Sequence, residues 1–270
     1  TNFILTQMRE KGVTFAQGLS EAQTLGYAEA DPTFDIEGID AAHKLTILAA
    51  LCFGIPMSFK DVYVEGIKAL EQKDIQYAEE LGYRIKLLGI AKKRDKGIEL
   101  RVHPTLIPEE RLIANVNGVM NAVVVKGNMI GPTLYYGAGA GGLQTASSVV
   151  ADLIDISRSS NVPLLGFEDA EINTIPIYSI DDAISAYYLR IRVSDKPGVL
   201  AEITKLFGDK KISIDAMLQK EPNEQESEAD IVLLSHLAVE KNINTIIHSI
   251  ESMPATIGKV IKIRLEELSK

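Results

Sequence analysis

The stretch Gly26-Tyr27-Ala28-Glu29-Ala30-Asp31-Pro32-Thr33-Phe34-Asp35-Ile36-Glu37-Gly38-Ile39-Asp40-Ala41-Ala42-His43-Lys44 gathers five carboxylates ahead of one lysine. Asp40 and Lys44 are four residues apart, so on a helix they share a face, with the acid on the favourable N-terminal side. The next turn of that face carries Ile47, Leu48 and Leu51. A lysine partly withdrawn from water gives up its proton more easily, and a neighbouring carboxylate opposes that loss. Such a group can hold a proton near neutral pH and deliver it to an oxygen. Carboxylates beside it can take the ammonium group of a substrate. The competing reading is a solvated capping loop followed by a lysine whose stem lies along apolar surface. His43, on the opposite face near Ile47 and Ala50, reads as structural.

Two glycine-bearing turns come next. Gly137-Ala138-Gly139-Ala140-Gly141-Gly142 matches G-x-G-x-x-G after a short apolar strand and before a helix. As a dinucleotide fingerprint it fails downstream, because 158–166 offers no long apolar second strand. Successive glycines at a helix N-terminus still expose backbone N–H groups to an anion or a closely approaching ligand; a close-packed turn is the alternative. The second turn is Ser194-Asp195-Lys196-Pro197-Gly198-Val199-Leu200. Here Gly198 permits a sharp turn, and the helix N-terminus accepts a carboxylate. Asp195 suits an ammonium group, and Val199 and Leu200 a small apolar pocket. An ordinary strand-to-helix turn fits the same residues.

The elements that position these groups fall into two patterns. In the first, helices are predicted at 1–11, 19–26 (with Ser20 as N-cap), 38–53, 72–81 and 143–157. Strands are predicted at 83–91, 98–104, 121–126 and 131–136, with a hairpin turn at 93–97. From Tyr187 the pattern becomes strand 188–193, helix 198–210, strands 212–218 and 229–237, helix 242–253 and strand 259–265. That βαββαβ order is the ferredoxin-like unit. The Pro-containing segment between the two patterns reads as a linker.

Composition sets outer limits. Of 270 residues, 46% are hydrophobic and 24% charged, a globular balance with room for two domains. The net charge of −9 argues against nucleic acid and anionic membranes as partners. No apolar run is long enough for a transmembrane helix. Thr1 to Thr6 has no signal-peptide pattern and reads as the start of a chain in mid-protein. Cys52, the single cysteine, lies in the apolar run 48–53 and reads as a buried thiol, in keeping with a reducing cytoplasm.

The pattern Ala22…Gly26-Tyr27-Ala28…Asp31-Pro32…Asp35-Ile36…Gly38…Asp40…Lys44 resembles the homoserine dehydrogenase signature, and the resemblance runs from Thr1 to about Arg158. It implies NAD- or NADP-dependent interconversion of homoserine and aspartate semialdehyde, on the route to threonine, methionine and isoleucine. Lys44 and Asp40 match the family's catalytic pair. Tyr27, Glu29 and Asp35 match residues lining the amino-acid site. The loop with Gly137, Gly139, Ala140 and Gly141 matches one that faces the cofactor. The module from Tyr187 to Leu268 resembles an ACT domain, which implies amino-acid sensing at Asp195, Gly198, Val199 and Leu200, with threonine the usual effector. ACT units commonly pair, so a homodimer or homotetramer is implied.

The expectation is thus an α/β chain: a mixed-sheet substrate domain at 1–158, a linker at 159–186 and an ACT unit at 187–270. The main dinucleotide-binding domain is expected elsewhere, and no metal site is expected within the chain. Two other readings stay open: a non-catalytic amino-acid-binding regulatory fragment, and a different amino-acid enzyme bearing an ACT unit.

Overall fold

A computed structural model describes residues 1–139, 141–158, 163, 167, 175–220 and 227–268. It begins with four helices: α1 (Asn2–Lys11), α2 (Phe15–Thr24), the single-turn α3 (Thr33–Ile36) and α4 (Ile39–Phe53). The start of α2 corrects the sequence reading. Thr14 is the N-cap, and it exchanges hydrogen bonds with Gln17 in a capping box, so the helix begins at Phe15, four residues before the sequence-predicted start at 19. Gly38 caps α4 in the left-handed region at φ +78°, where an added Cβ would also crowd Val102.

The short strand β1 (Tyr63–Val64) is followed by α5 (Gln72–Glu80) and the long hairpin β2 (Tyr83–Arg94) and β3 (Gly97–Pro108). A second hairpin, β4 (Met120–Gly127) and β5 (Gly131–Ala138), leads into α6 (Gly142–Arg158). The C-terminal unit then runs β6 (Ile184–Ser194), α7 (Val199–Asp209), β7 (Ile214–Gln219), β8 (Glu228–Ser235), β9 (Ala238–Val239), α8 (Glu240–Glu251) and β10 (Ile261–Leu265). Apart from the two-residue β9, this is the expected βαββαβ order.

One mixed sheet unites the two patterns. Its strand order is β1-β3-β10-β6-β8-β7, with β2 on the other side of β3 and β9 against β6. β3 is parallel to both β1 and β10, and the other pairings are antiparallel. One face of the C-terminal sheet is covered by its own helices, through Tyr187, Leu189, Ile191, Ile203, Phe207, Ile243 and Ile246. The other face, through Tyr188, Val232, Leu234 and Ile263, joins the core that holds Ile4 and Met8 of α1 and Ile75 and Ala78 of α5. Alternation along β6 produces this division: odd and even residues enter different cores.

Three buried ion-pair groups cross between the two halves. Asp74 of α5 receives Arg190 of β6 through both carboxylate oxygens, at 2.6 and 3.0 Å, and the Tyr188 hydroxyl at 3.0 Å. Arg264 of β10 grips Glu240 of α8 bidentately and reaches Glu65 at 2.8 Å. Arg101 of β3 pairs with Glu266. Beside it His103 is fully buried, and its pKa lies well below the usual value because of burial, reinforced by Arg264 and Arg101. The neutral ring's partners place the proton on Nδ1, which donates to Pro104 O, while Nε2 accepts from Arg101.

Candidate active site

The groups singled out around Lys44 gather at the N-terminal ends of α1 and α4. Lys44 Nζ donates to Asp40 Oδ2 at 2.5 Å, the i,i+4 pairing expected of one helix face. Asp40 lies in the first turn of α4, where the helix dipole favours an anion. Asp35, Asp40 and Lys44 all lie within electrostatic reach of Thr1, at the beginning of α1. Tyr27 joins them from the next loop: its ring packs tilted against Phe3 of α1 with centroids 5.1 Å apart, and its N–H bonds Ala22 O.

The carboxylates of the loop divide by role. Asp31 accepts from the Thr33 N–H and hydroxyl, which lowers its pKa and starts α3. Glu37 is taken by Lys68 at 2.5 Å. Gln23 holds the loop by donating to the carbonyls of Glu29 and Ala30, and Glu29 itself is exposed. Asp35 is half-buried. No contact brings the Glu29 carboxylate to Lys44.

Three sequence expectations need correction here. Lys44 and Asp40 are not withdrawn from water: their side chains are 67% and 47% exposed. Ile47, Leu48 and Leu51 are exposed with them, because α4 buries only the face that holds Ala42, Leu45, Thr46, Ala49 and Ala50. Cys52 is on the open side too, exposed and not buried. His43, read as structural, sets its ring against Phe59 at 4.4 Å and Phe34 at 6.1 Å on the same open side.

The glycine loop sits between β5 and α6. β5 pairs only with β4, antiparallel in a two-stranded sheet, so this is not the parallel strand–loop–helix of a dinucleotide fold. A Cβ at Gly139 would stand 2.2 Å from the Asn121 amide, and one at Gly141 (φ +126°) 2.3 Å from Gln144 Oε1. Both atoms are ends of exposed side chains that can move aside, so only Gly141, through its positive φ, requires glycine. Gly137 faces open space, and Ala140 lies outside the described residues. The described residues hold no group of three or more His, Cys, Asp or Glu able to bind a metal, and no helix long and apolar enough to cross a membrane.

In the C-terminal unit, Gly198 caps α7 at φ +96° with open space around its Cα, and Val199 is buried in the unit's own core. Asp195 is exposed, its N–H bonded to Ser227 O, and Leu200 is half-buried. The sequence reading missed the segment 63–68 behind the charged loop. Gly66 approaches Ile36 and Glu37 so closely that a Cβ would stand 2.4 Å from Ile36 O, and Ile67 N–H donates to that same oxygen at 2.8 Å. A glycine after a two-residue strand was the available signal.

The homoserine dehydrogenase family matches residues 1–154, and the ACT domain family matches 187–254. A homoserine dehydrogenase of Pseudomonas aeruginosa is 54% identical over 99% of this chain and 63% of its own length. One from Neisseria gonorrhoeae is 56% identical over the same shares. The crystal structure of a homoserine dehydrogenase from Thiobacillus denitrificans superposes with a TM-score of 0.92 at 59% identity, over 99% of this chain and 62% of that one. The chain thus spans less than two thirds of the length of these relatives.

Proposed function

The chain belongs to the homoserine dehydrogenase family, and on that premise we propose that it is the substrate-binding and regulatory part of an NAD(P)-dependent dehydrogenase interconverting L-homoserine and L-aspartate 4-semialdehyde. The observation that carries the reading is the 2.5 Å Lys44–Asp40 pair, set with Asp35 at the positive end of α1. A nicotinamide cofactor, NADP or NAD, supplies or accepts the hydride. Lys44 donates the proton that turns the aldehyde oxygen into the hydroxyl, and takes it back in the oxidative direction. Asp40 fixes the ammonium of Lys44 and favours its charged form. Asp35 and Glu29 receive the substrate's ammonium group, and Tyr27, packed against Phe3, forms a wall of the site. Gly137, Gly139, Ala140 and Gly141 face the cofactor, Gly137 offering the open backbone.

The matched segments support a substrate unit at 1–158, a connector at 159–186 and a regulatory unit at 187–270. The regulatory unit senses an amino acid, threonine above all, at Asp195, Gly198, Val199 and Leu200. This is feedback by a product of threonine, methionine and isoleucine biosynthesis. The working protein is a cytoplasmic homo-oligomer. The exposed apolar residues of β4, β5 and α6, including Val124, Tyr135, Tyr136, Leu143 and Leu153, favour covering by further chain and by a second copy. Exposure of the Asp40–Lys44 pair favours a catalytic cleft closed by residues outside this chain, over a purely regulatory fragment.

The test is Lys44→Ala in the full-length protein. Removal of a positioned general acid is expected to lower kcat about 10²–10⁴-fold with the fold intact by circular dichroism. A variant that keeps more than about half of wild-type kcat ends the catalytic assignment, since the removed group would then lie outside the range of such an acid.

A further inference from the structure

A cleft of about 290 Å³ opens at the seam between the two halves, lined by Glu65, Gly66, Ala69 and Leu70 from the first half, by Val260, Ile261 and Lys262 from the second, and by Pro104 of β3. It exists because β3 changes partner there. β1 pairs with β3 at Arg101 and Val102, and β10 pairs at Thr105 and Leu106. Pro104 stands between them with no N–H to extend the β10 ladder towards Lys262. The edge of β10 is left open on this side.

Two opposite charges on the walls have bonding capacity to spare. Glu65 Oε2 accepts from Tyr63 and Arg264, and Oε1 has no partner among the described residues. Lys262 Nζ donates to Glu240 and Asn244, which uses two of its three protons. Glu65 is one-third exposed, and Lys262 presents 16% of its side chain. Between them the walls are apolar, from Ala69, Leu70, Val260 and Ile261. An acceptor for an ammonium, a donor for a carboxylate and a small apolar surface together match a free α-amino acid. The volume is at the small end of the range of about 300–1,000 Å³ for ligand sites.

We propose that this cleft is a binding site for a small zwitterionic amino acid, separate from the Asp195–Leu200 turn, in which Glu65 takes the ammonium and Lys262 the carboxylate. The position also gives the ligand a physical route to the charged loop. Gly66, which lines the cleft, lies against Ile36 and Glu37, and Ile67 bonds Ile36 O. Two residues later Gly38 caps the helix that carries Asp40 and Lys44. A ligand drawing Glu65 towards Lys262 would bias that cap only through its differential affinity for two loop positions.

The site goes beyond the dehydrogenase reading, and its test needs no turnover. The full-length protein is titrated calorimetrically with threonine, isoleucine and 3-hydroxybutyrate, which lacks the ammonium. Ala69→Trp fills the exposed rim of the cleft without touching an ion pair, and Glu65→Gln removes the charge while keeping an acceptor. The expected result is binding of at least one amino acid and not of 3-hydroxybutyrate. That binding should be lost in Ala69→Trp, weakened about tenfold in Glu65→Gln, and retained in Gly198→Asp. Binding that survives Ala69→Trp and disappears in Gly198→Asp overturns the proposal in favour of the turn. Absence of amino-acid binding at millimolar concentration overturns it outright.

Discussion

At the seam between β10 and β3, the side chains of Arg101, Arg264 and Glu240 are each about 1% exposed. Along β4, β5 and α6, by contrast, no described residue is buried. The seam is rich in charge yet nearly complete: Arg264 has Glu240, Glu65 and Tyr63, and Arg101 has Glu266 and His103. The arm is rich in apolar side chains yet open, and a two-stranded hairpin alone is marginal in water. The contrast teaches that hydrophobicity and burial part company wherever an element's cover is not supplied by these residues. Buried charge is tolerated when the same fold provides its partners.

The largest expected effect comes from breaking one of the buried crossings. Asp74→Ala leaves Arg190 without the bidentate partner that, against the effect of burial, holds its pKa above the ordinary value. It also strands the Tyr188 hydroxyl. Removal of one partner of a buried pair costs about 3–5 kcal/mol, measurable as a shift in the urea midpoint at unchanged slope. A loss under about 1 kcal/mol would place this crossing with ordinary surface pairs and erase the contrast.

A second effect lies where the arm is rooted. Lys86, buried in β2, donates to Asn2 Oδ1, Val116 O and Asn117 Oδ1, with no carboxylate among those acceptors. Burial, aided by Arg9 and Arg84, lowers its pKa to about 8. An unfolded lysine titrates near 10.4. Between those values the unfolded chain binds the proton that the folded chain has released, so stability contributed by this group rises with pH. Below about 8 both states are protonated and the slope vanishes. The stability difference between wild type and Lys86→Met should therefore move in favour of wild type as pH is raised from 8 towards 10, by up to about 1.4 kcal/mol per unit. Parallel pH profiles for the two proteins would mean that this lysine is not desolvated.

Local periodicity made most elements legible. The hairpins, α1, α4, α5 and the βαββαβ order follow from alternation, helical spacing and glycine turns. The Asp40–Lys44 pair was readable for the same reason, since an i,i+4 contact depends only on the helix that carries it. The start of α2 was misplaced although Thr14-x-x-Gln17 is a readable capping box. What stayed hidden is non-local. Arg264 meets Glu65 across 199 positions and Arg190 meets Asp74 across 116, and no spacing rule reaches that far. Exposure of Lys44, His43 and Cys52 was equally hidden. An apolar stripe such as Ile47-Leu48-Leu51 reads the same whether its cover lies within these residues or outside them.

The smallest expected effect belongs to the tip of the arm, and it is the most discriminating. Met129 is 99% exposed between Gly127 and Gly131, the residues that close the β4–β5 pairing. Gly131 turns the chain at φ +75°, so the bend is held by a glycine and not by the methionine side chain. Met129→Ser removes apolar surface already in water, and such a change alters stability by no more than about 0.5 kcal/mol. The full-length variant should melt within a degree or two of wild type and sediment identically, because a domain of this size shifts only about 2–4 °C per kcal/mol. A larger fall, or a change in sedimentation, would show that the tip is covered in the assembled protein. In that case the arm is completed along its whole length by another surface, and the open region of the comparison shrinks to the face of α4 that carries Lys44.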